Sequence, residues 1–261
     1  MPQHMPPARL IPDEPPARID AIDALRGGAV MLMIAYHGLW DATHLELIDL
    51  PLLTAWPWLA ARATILSLFL GLAGISLALG HGDGVRWRPF RRRLAQVGGA
   101  AAAITVATAI PFPEAFIFFG ALHHIALASL LALALLRLPW PALMAAGIAA
   151  LILPDLVAFG GAFERLPLVV LGLAASPPLS VDFVPLLPWF AAWPVGMLLG
   201  RGIARCIGQS ATGPLAQGWL SWQPTGGGGK LLVWAGRHSL VVYLLHQLPL
   251  MGGLWLLTYL I

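Results

Sequence analysis

Apolar runs of about twenty residues recur along the whole length of this chain. A helix of about twenty residues spans the hydrocarbon core of a bilayer, where only helices and closed barrels satisfy all their backbone hydrogen bonds. The 261 residues are 59% hydrophobic and 10% charged, whereas soluble domains carry about 25% charged residues. We therefore predict an all-α, polytopic transmembrane helical bundle.

Each apolar run is long enough to cross the bilayer once, so we predict seven spans. These predicted spans are 22–42, 58–79, 94–110, 116–136, 141–159, 184–204 and 232–259. Residues 1–17 are rich in proline and polar side chains and lack the apolar core of a signal peptide, so we expect a disordered tail. Residues 18–261 then form a single transmembrane domain.

The basic residues predict the orientation of the bundle. When seven spans are threaded, thirteen arginines and lysines fall on one side and two, Arg62 and Arg165, fall on the other. Because cytoplasmic loops carry the excess of Lys and Arg, we expect the N-terminus inside, the C-terminus outside and an inner-membrane location. The net charge of +3 is explained by these basic residues between the spans, because they set the membrane orientation. We therefore expect no nucleic-acid partner.

The first predicted span carries the ionisable side chains of Arg26, His37 and Asp41 along its length. Arg26 and His37 are eleven positions apart, which at roughly 100° per residue returns them to nearly the same helix face. The helix rises about 16 Å between them, around half the thickness of the bilayer core. Asp41 follows His37 by one turn. Ionisable groups inside a membrane are costly and usually functional, so this polar stripe is the first candidate site.

Other predicted spans bring polar side chains to a depth similar to that of His37. The fourth span contains His123 and His124, and the seventh contains His246 followed by Gln247. Asp182 precedes the sixth span at its outer end. Two interpretations are open for these residues: they bind a substrate, or the histidines bond to backbone and serine groups and hold the bundle together while Asp182 is a solvated loop carboxylate.

Several stretches resemble known families. Arg26 and His37, with ten residues between them, resemble the arginine–histidine signature of the acyltransferase-3 group of membrane acyltransferases. More of the chain is similar to the bacterial heparan-α-glucosaminide N-acetyltransferase catalytic-domain family. The matching stretches are 22–27 (IDALRG), 36–41 (YHGLWD), 119–126 (FGALHHIA), 185–190 (PLLPWF), 196–201 (GMLLGR) and 234–247 (WAGRHSLVVYLLHQ).

This resemblance implies transfer of an acyl group, acetyl in the eukaryotic relatives, from cytosolic acyl-CoA to a sugar or related acceptor at the outer face. A neutral imidazole suits removal of the acceptor's proton, with Asp41 orienting and stabilising His37. Alternatively, His37 takes the acyl group itself as a nucleophile. The catalytic loop histidine of the relatives is not matched here, so His37, or His44 in the outer loop, would serve instead.

The donor requires cations for its phosphates. Arg26, Arg237 and the cluster of Arg91, Arg92 and Arg93 lie at the cytoplasmic edge, where acetyl-CoA would approach. The cluster has a second interpretation, as a topology signal in contact with anionic lipid. Arg237 also suits a capped helix start at the interface.

We interpret the chain as a multi-pass acyltransferase whose partners are the lipid bilayer and a small-molecule or glycan acceptor. A transporter or flippase, in which the polar column carries protons or a head group, is the alternative; a non-catalytic protein that retains the fold is a third. The sequence has no cysteine–histidine metal spacing, Walker loop or dinucleotide fingerprint, so we expect no metal site.

Overall fold

The computed structural model describes residues 18–157, 161–208, 218–258 and 260. The predicted disordered tail at 1–17 lies outside the described residues, as do the last positions of the predicted fifth span. The described residues form nine α-helices joined by loops and three short 3₁₀ helices, which confirms the all-α fold. The helices are α1 Asp20–His44, α2 Trp56–His81, α3 Trp87–Ala109, α4 Ala121–Leu135, α5 Trp140–Leu156, α6 Ala192–Gly208, α7 Gly227–Arg237, α8 Ser239–Leu245 and α9 Gln247–Thr258.

Two stretches in the described part of the chain are both long and apolar enough to cross a membrane. They are α2 and the twenty residues Ser239–Thr258, which comprise α8 and α9. The apolar helices α4 and α5 are shorter, at 15 and 17 residues. The described part of the chain therefore contains apolar helices suited to a bilayer.

The predicted fourth and sixth spans begin later than expected. Residues 116–120 form a loop before α4, and 184–191 form a loop and a 3₁₀ turn before α6. Pro185 and Pro188 lack the N–H that a helix interior requires. The amides of Leu186 and Leu187 instead bond to the carbonyls of Val170 and Leu171, at 2.7 and 3.0 Å. In the predicted sixth span, the prolines and these long-range bonds therefore take the place of helix at residues 184–191.

The predicted third and seventh spans also differ from the structure. Helix α3 begins at Trp87 rather than at 94, so the arginine cluster, which falls between the predicted second and third spans, lies on the first turns of α3. The predicted seventh span is three helices, α7 to α9, which begin at Gly227 and are interrupted at His238 and His246. The break at His246 places Gln247 at the start of a separate helix, α9.

Helices α2 and α6 pack with their backbones in contact. A Cβ at Gly196 would meet the carbonyl of Gly71, and a Cβ at Gly200 would meet the carbonyl of Ile75. Small residues allow this approach, and van der Waals contact is the main force between helices in lipid. Beside this pair, the buried side chains of Leu70, Leu143 and Met197 join α2, α5 and α6 into the main core.

Candidate active site

Helix α1 lies against all three C-terminal helices, α7, α8 and α9. Gly27 and Gly236 make the contact with α7 possible, because a Cβ on Gly27 would overlap the backbone of Leu232 and a Cβ on Gly236 would overlap that of Asp23. We call this contact of α1 with α7–α9 the α1 seam. Ionisable side chains lie at both of its ends.

At one end of the seam, two arginines share two aspartates. Arg26 donates to Asp23 Oδ1 at 2.7 Å and to the Ser76 hydroxyl of α2 at 2.8 Å. Arg237 donates to Asp20 at 2.6 Å and to Asp23 Oδ2 at 3.4 Å. The buried Asp23 therefore bridges the arginines of α1 and α7. The two guanidinium charges are compensated within the protein, which the sequence interpretation did not foresee.

The arginine cluster of α3 is not compensated in this way. Among residues 18–157, 161–208, 218–258 and 260, no carboxylate pairs with Arg91, Arg92 or Arg93. Arg92 and Arg93, with Arg88, line a cavity of about 290 Å³. Arg93 lies within electrostatic reach of Arg26. The free cations of α3 thus lie beside the arginine end of the seam, where they could hold an anionic donor.

At the other end of the seam, two histidines meet edge to face. The ring centroids of His37 and His246 are 4.9 Å apart with an interplanar angle of 81°. His37 Nδ1 lies 2.9 Å from the Met33 carbonyl, and His246 Nδ1 lies 2.7 Å from the Tyr243 carbonyl. A carbonyl oxygen only accepts, so each Nδ1 carries the proton and each Nε2 keeps its lone pair. On each ring, Nε2 is therefore the nitrogen that can accept a hydrogen bond.

Asp41 completes this end of the seam. Its carboxylate is fully buried and accepts a hydrogen bond from Gln247 Nε2 at 2.6 Å. We expected Asp41 to orient His37, but the Met33 carbonyl bonds the His37 Nδ1 and Gln247 holds Asp41. Within the described part of the chain, Asp41 Oδ2, Gln247 Oε1 and His246 Nε2 are buried without a hydrogen-bond partner. Unpaired buried acceptors are rare, and this group of three could receive the donors of a substrate.

The other predicted substrate-binding residues connect loops instead. His123 accepts the Gly120 amide proton at Nδ1, at 3.2 Å, and its Nε2 lies 3.1 Å from the Thr105 hydroxyl. His124 Nδ1 lies 3.1 Å from the Pro185 carbonyl. Asp182 accepts the Ala121 amide proton at 3.2 Å. These bonds join α3, α4 and the loop before α6, which favours the interpretation in which these residues hold the bundle together.

Two further residues have positions that sequence reasoning missed or misplaced. Tyr243 packs 5.8 Å from the His246 ring and lies within electrostatic reach of Asp182, so it connects the seam to the loop cluster. His44 is the last residue of α1 rather than part of the loop, and it stacks on Trp40 at 5.0 Å. The stack of His44 on Trp40 lies within α1, whereas Tyr243 and Asp182 lie on separate elements that helical spacing could not connect.

A metal ion requires several ligating side chains in one place, and the described residues do not provide such a group. No group of three or more histidine, cysteine or acidic side chains there is arranged to hold an ion. The polar ends of the seam instead combine guanidinium groups with carboxylates at one end, and imidazoles with a carboxylate and an amide at the other. This arrangement suits anion binding and proton transfer.

Comparison with known proteins gives one match. The family model described as heparan-alpha-glucosaminide N-acetyltransferase, catalytic, matches residues 18–248. No curated protein and no solved structure matches the chain. The matched range contains both ends of the α1 seam.

Proposed function

Because the chain belongs to the heparan-alpha-glucosaminide N-acetyltransferase catalytic family, we propose that it is a multi-pass acyltransferase of the inner membrane. It takes an acyl group, acetyl in the simplest case, from cytosolic acyl-CoA and passes it to a sugar or related acceptor at the outer face. The observation that carries this proposal is the α1 seam, which has the guanidinium groups of Arg26 and Arg237 at one end and the imidazoles of His37 and His246 at the other.

The donor would approach the arginine end of the seam. The close contact of Gly27 with Leu232 closes the α7 side of α1. On the α2 side, Arg26 donates to Ser76 and lies near Arg93 of α3. Guanidinium groups bind phosphate with two parallel hydrogen bonds, so Arg93 and its neighbours suit the phosphates of CoA. The thioester arm would then extend along α1 toward His37.

The acceptor would react at the histidine end. Its hydroxyl or amine attacks the thioester carbonyl while His37 Nε2 takes the proton, and the thiolate of CoA then leaves and receives that proton from the imidazolium. The bond from His37 Nδ1 to Met33 supports this role, because it fixes the ring and the tautomer. Asp41 and Gln247 would act next to the imidazoles by accepting the acceptor's donors and by stabilising positive charge.

The proposal is tested by incubating the purified protein with radiolabelled acetyl-CoA and a mixed panel of sugars. We expect label in the sugar fraction or, without an acceptor, slow release of labelled acetate. A protein that neither binds nor consumes acetyl-CoA would favour the transporter or flippase alternative, in which His37, Asp41 and His246 carry protons.

A prediction about the donor concerns Arg26. Replacing Arg26 with alanine should weaken acyl-CoA binding roughly ten- to a hundred-fold, because a charge-assisted contact contributes about 1.5–3 kcal/mol. Binding is measured by calorimetry on protein that elutes as the wild type does. Arg137→Ala, which removes an exposed arginine on the same predicted side, is the control. Unchanged affinity in Arg26→Ala would limit the role of Arg26 to its structural bonds with Asp23 and Ser76.

A prediction about topology follows from the basic-residue asymmetry. Seven crossings with a cytoplasmic N-terminus place the C-terminus outside. A periplasm-dependent reporter fused after Ile261 should therefore be active, and a cytoplasm-dependent reporter at the same site should be inactive. The opposite pattern would contradict the seven-span arrangement.

A further inference from the structure

A second cavity lies away from the α1 seam. It has a volume of about 420 Å³, within the usual range for small-molecule sites, and opens between the first turns of α2 and the loop segment 169–189. Its wall is fixed by the backbone bonds of Leu186 to Val170 and of Leu187 to Leu171. Gly172, at a φ of 81°, leaves no room for a Cβ beside the Leu187 carbonyl. This cavity is therefore a built feature of the fold.

The chemistry of the cavity is almost entirely apolar. Leucine, valine, alanine, proline, phenylalanine and tryptophan side chains form its lining, and Ser176 adds one hydroxyl. Among the residues that the structure describes, Arg62 is the single ionisable side chain that lines it. Arg62 is half-buried and, across the described residues, makes no hydrogen bond or ion pair. A cation in an apolar setting is costly when it has no partner, so Arg62 is a candidate ligand-binding group.

The position of Arg62 along α2 indicates the depth of the site. Arg62 lies about 9 Å along the helix from Trp56, which is exposed, as tryptophans at a membrane interface are. Arg62 is also within electrostatic reach of Tyr36, the neighbour of His37 in α1. The cavity thus lies at the outer end of the proposed bundle.

We propose that this cavity binds an anionic amphiphile, a molecule with one phosphate or carboxylate on an aliphatic chain. The anionic group pairs with Arg62, and the aliphatic part packs against the apolar lining. A free phosphate would leave that lining unfilled, and a neutral lipid would leave Arg62 unpaired. Binding at this site is independent of acyl transfer, so the proposal does not depend on the function assigned to the seam.

The test measures binding of three probes to the purified full chain in a neutral detergent by calorimetry. Dioctanoyl phosphatidate should bind, whereas dioctanoylglycerol and inorganic phosphate should bind at least about ten-fold more weakly. Arg62→Gln should weaken phosphatidate binding by about ten-fold or more, because a charge-assisted contact is lost. Arg165→Gln is the matched control, since it removes the other predicted outer arginine, which does not line the cavity, and it should bind as the wild type does.

A second variant keeps the positive charge of Arg62 and reduces only the volume of the cavity. Ala63 lines the cavity beside Arg62, so Ala63→Phe should weaken phosphatidate binding while Arg62 is retained. Elution volume and thermal midpoint establish that each variant is folded. Equal phosphatidate affinity in Arg62→Gln and Arg165→Gln would overturn the proposal, and so would inorganic phosphate that binds as tightly as phosphatidate.

Discussion

Replacing His37 with alanine should lower acyl-transfer turnover by about 10²–10⁴-fold, with little change in acyl-CoA affinity. The reason is that His37 Nε2 is the proposed base, whereas the donor phosphates would bind to arginines about 16 Å away along α1. Turnover is measured with radiolabelled acetyl-CoA, and affinity by calorimetry on the same preparation.

Two neighbouring variants make this prediction specific. Asp41→Asn should give a smaller decrease in turnover, because it changes the charge next to the imidazoles and disturbs the Gln247 bond without removing the base. His44→Ala is the control, since His44 stacks on Trp40 at the end of α1. We expect it to lower turnover less than Asp41→Asn does. If His44→Ala abolished transfer while His37→Ala retained it, catalysis would be assigned to His44 and the seam would be structural.

The second large effect concerns stability. Gly27→Ala should destabilise the protein by about 1–3 kcal/mol or more, because the new methyl group would overlap the Leu232 backbone, which cannot move like a flexible side chain. Gly28 is the matched control, since a Cβ there has nothing within 4 Å. Gly28→Ala should be neutral or stabilising by up to about 1 kcal/mol through helix propensity.

The measurement is the denaturation midpoint of both variants in the same detergent. A lowered midpoint for Gly27→Ala together with an unchanged or raised one for Gly28→Ala is the expected result. Equal midpoints would mean that α1 and α7 are not in backbone contact at Gly27.

The helical fold and the family could be predicted from the sequence, because apolar runs indicate the helices and short motifs indicate the family. It placed the starts of the fourth and sixth spans too early. An apolar composition does not distinguish helix from an extended segment whose amides bond elsewhere, as Leu186 and Leu187 do. Proline in that segment was the available signal.

The candidate site shows the same limit. Helical spacing placed Arg26, His37 and Asp41 on one face, and the structure brings each of them against α2 or the C-terminal helices. Spacing did not identify their partners, because Gln247 is 206 positions from Asp41 and Arg237 is 214 positions from Asp23. Such pairings depend on which helices pack together. In the structure, His37 Nδ1 bonds to the Met33 carbonyl and Asp41 bonds to Gln247, and helical spacing alone did not indicate either bond.

The most direct test of the central claim is the sidedness of transfer. Inside-out membrane vesicles containing the protein are loaded with a panel of amino and neutral sugars, and radiolabelled acetyl-CoA, which does not cross the bilayer, is added outside. We expect labelled sugar inside the vesicles with the wild type and its near-complete loss with His37→Ala. Labelled product that forms only when sugars share the acetyl-CoA side, or none in either arrangement, would contradict transfer across the membrane along α1.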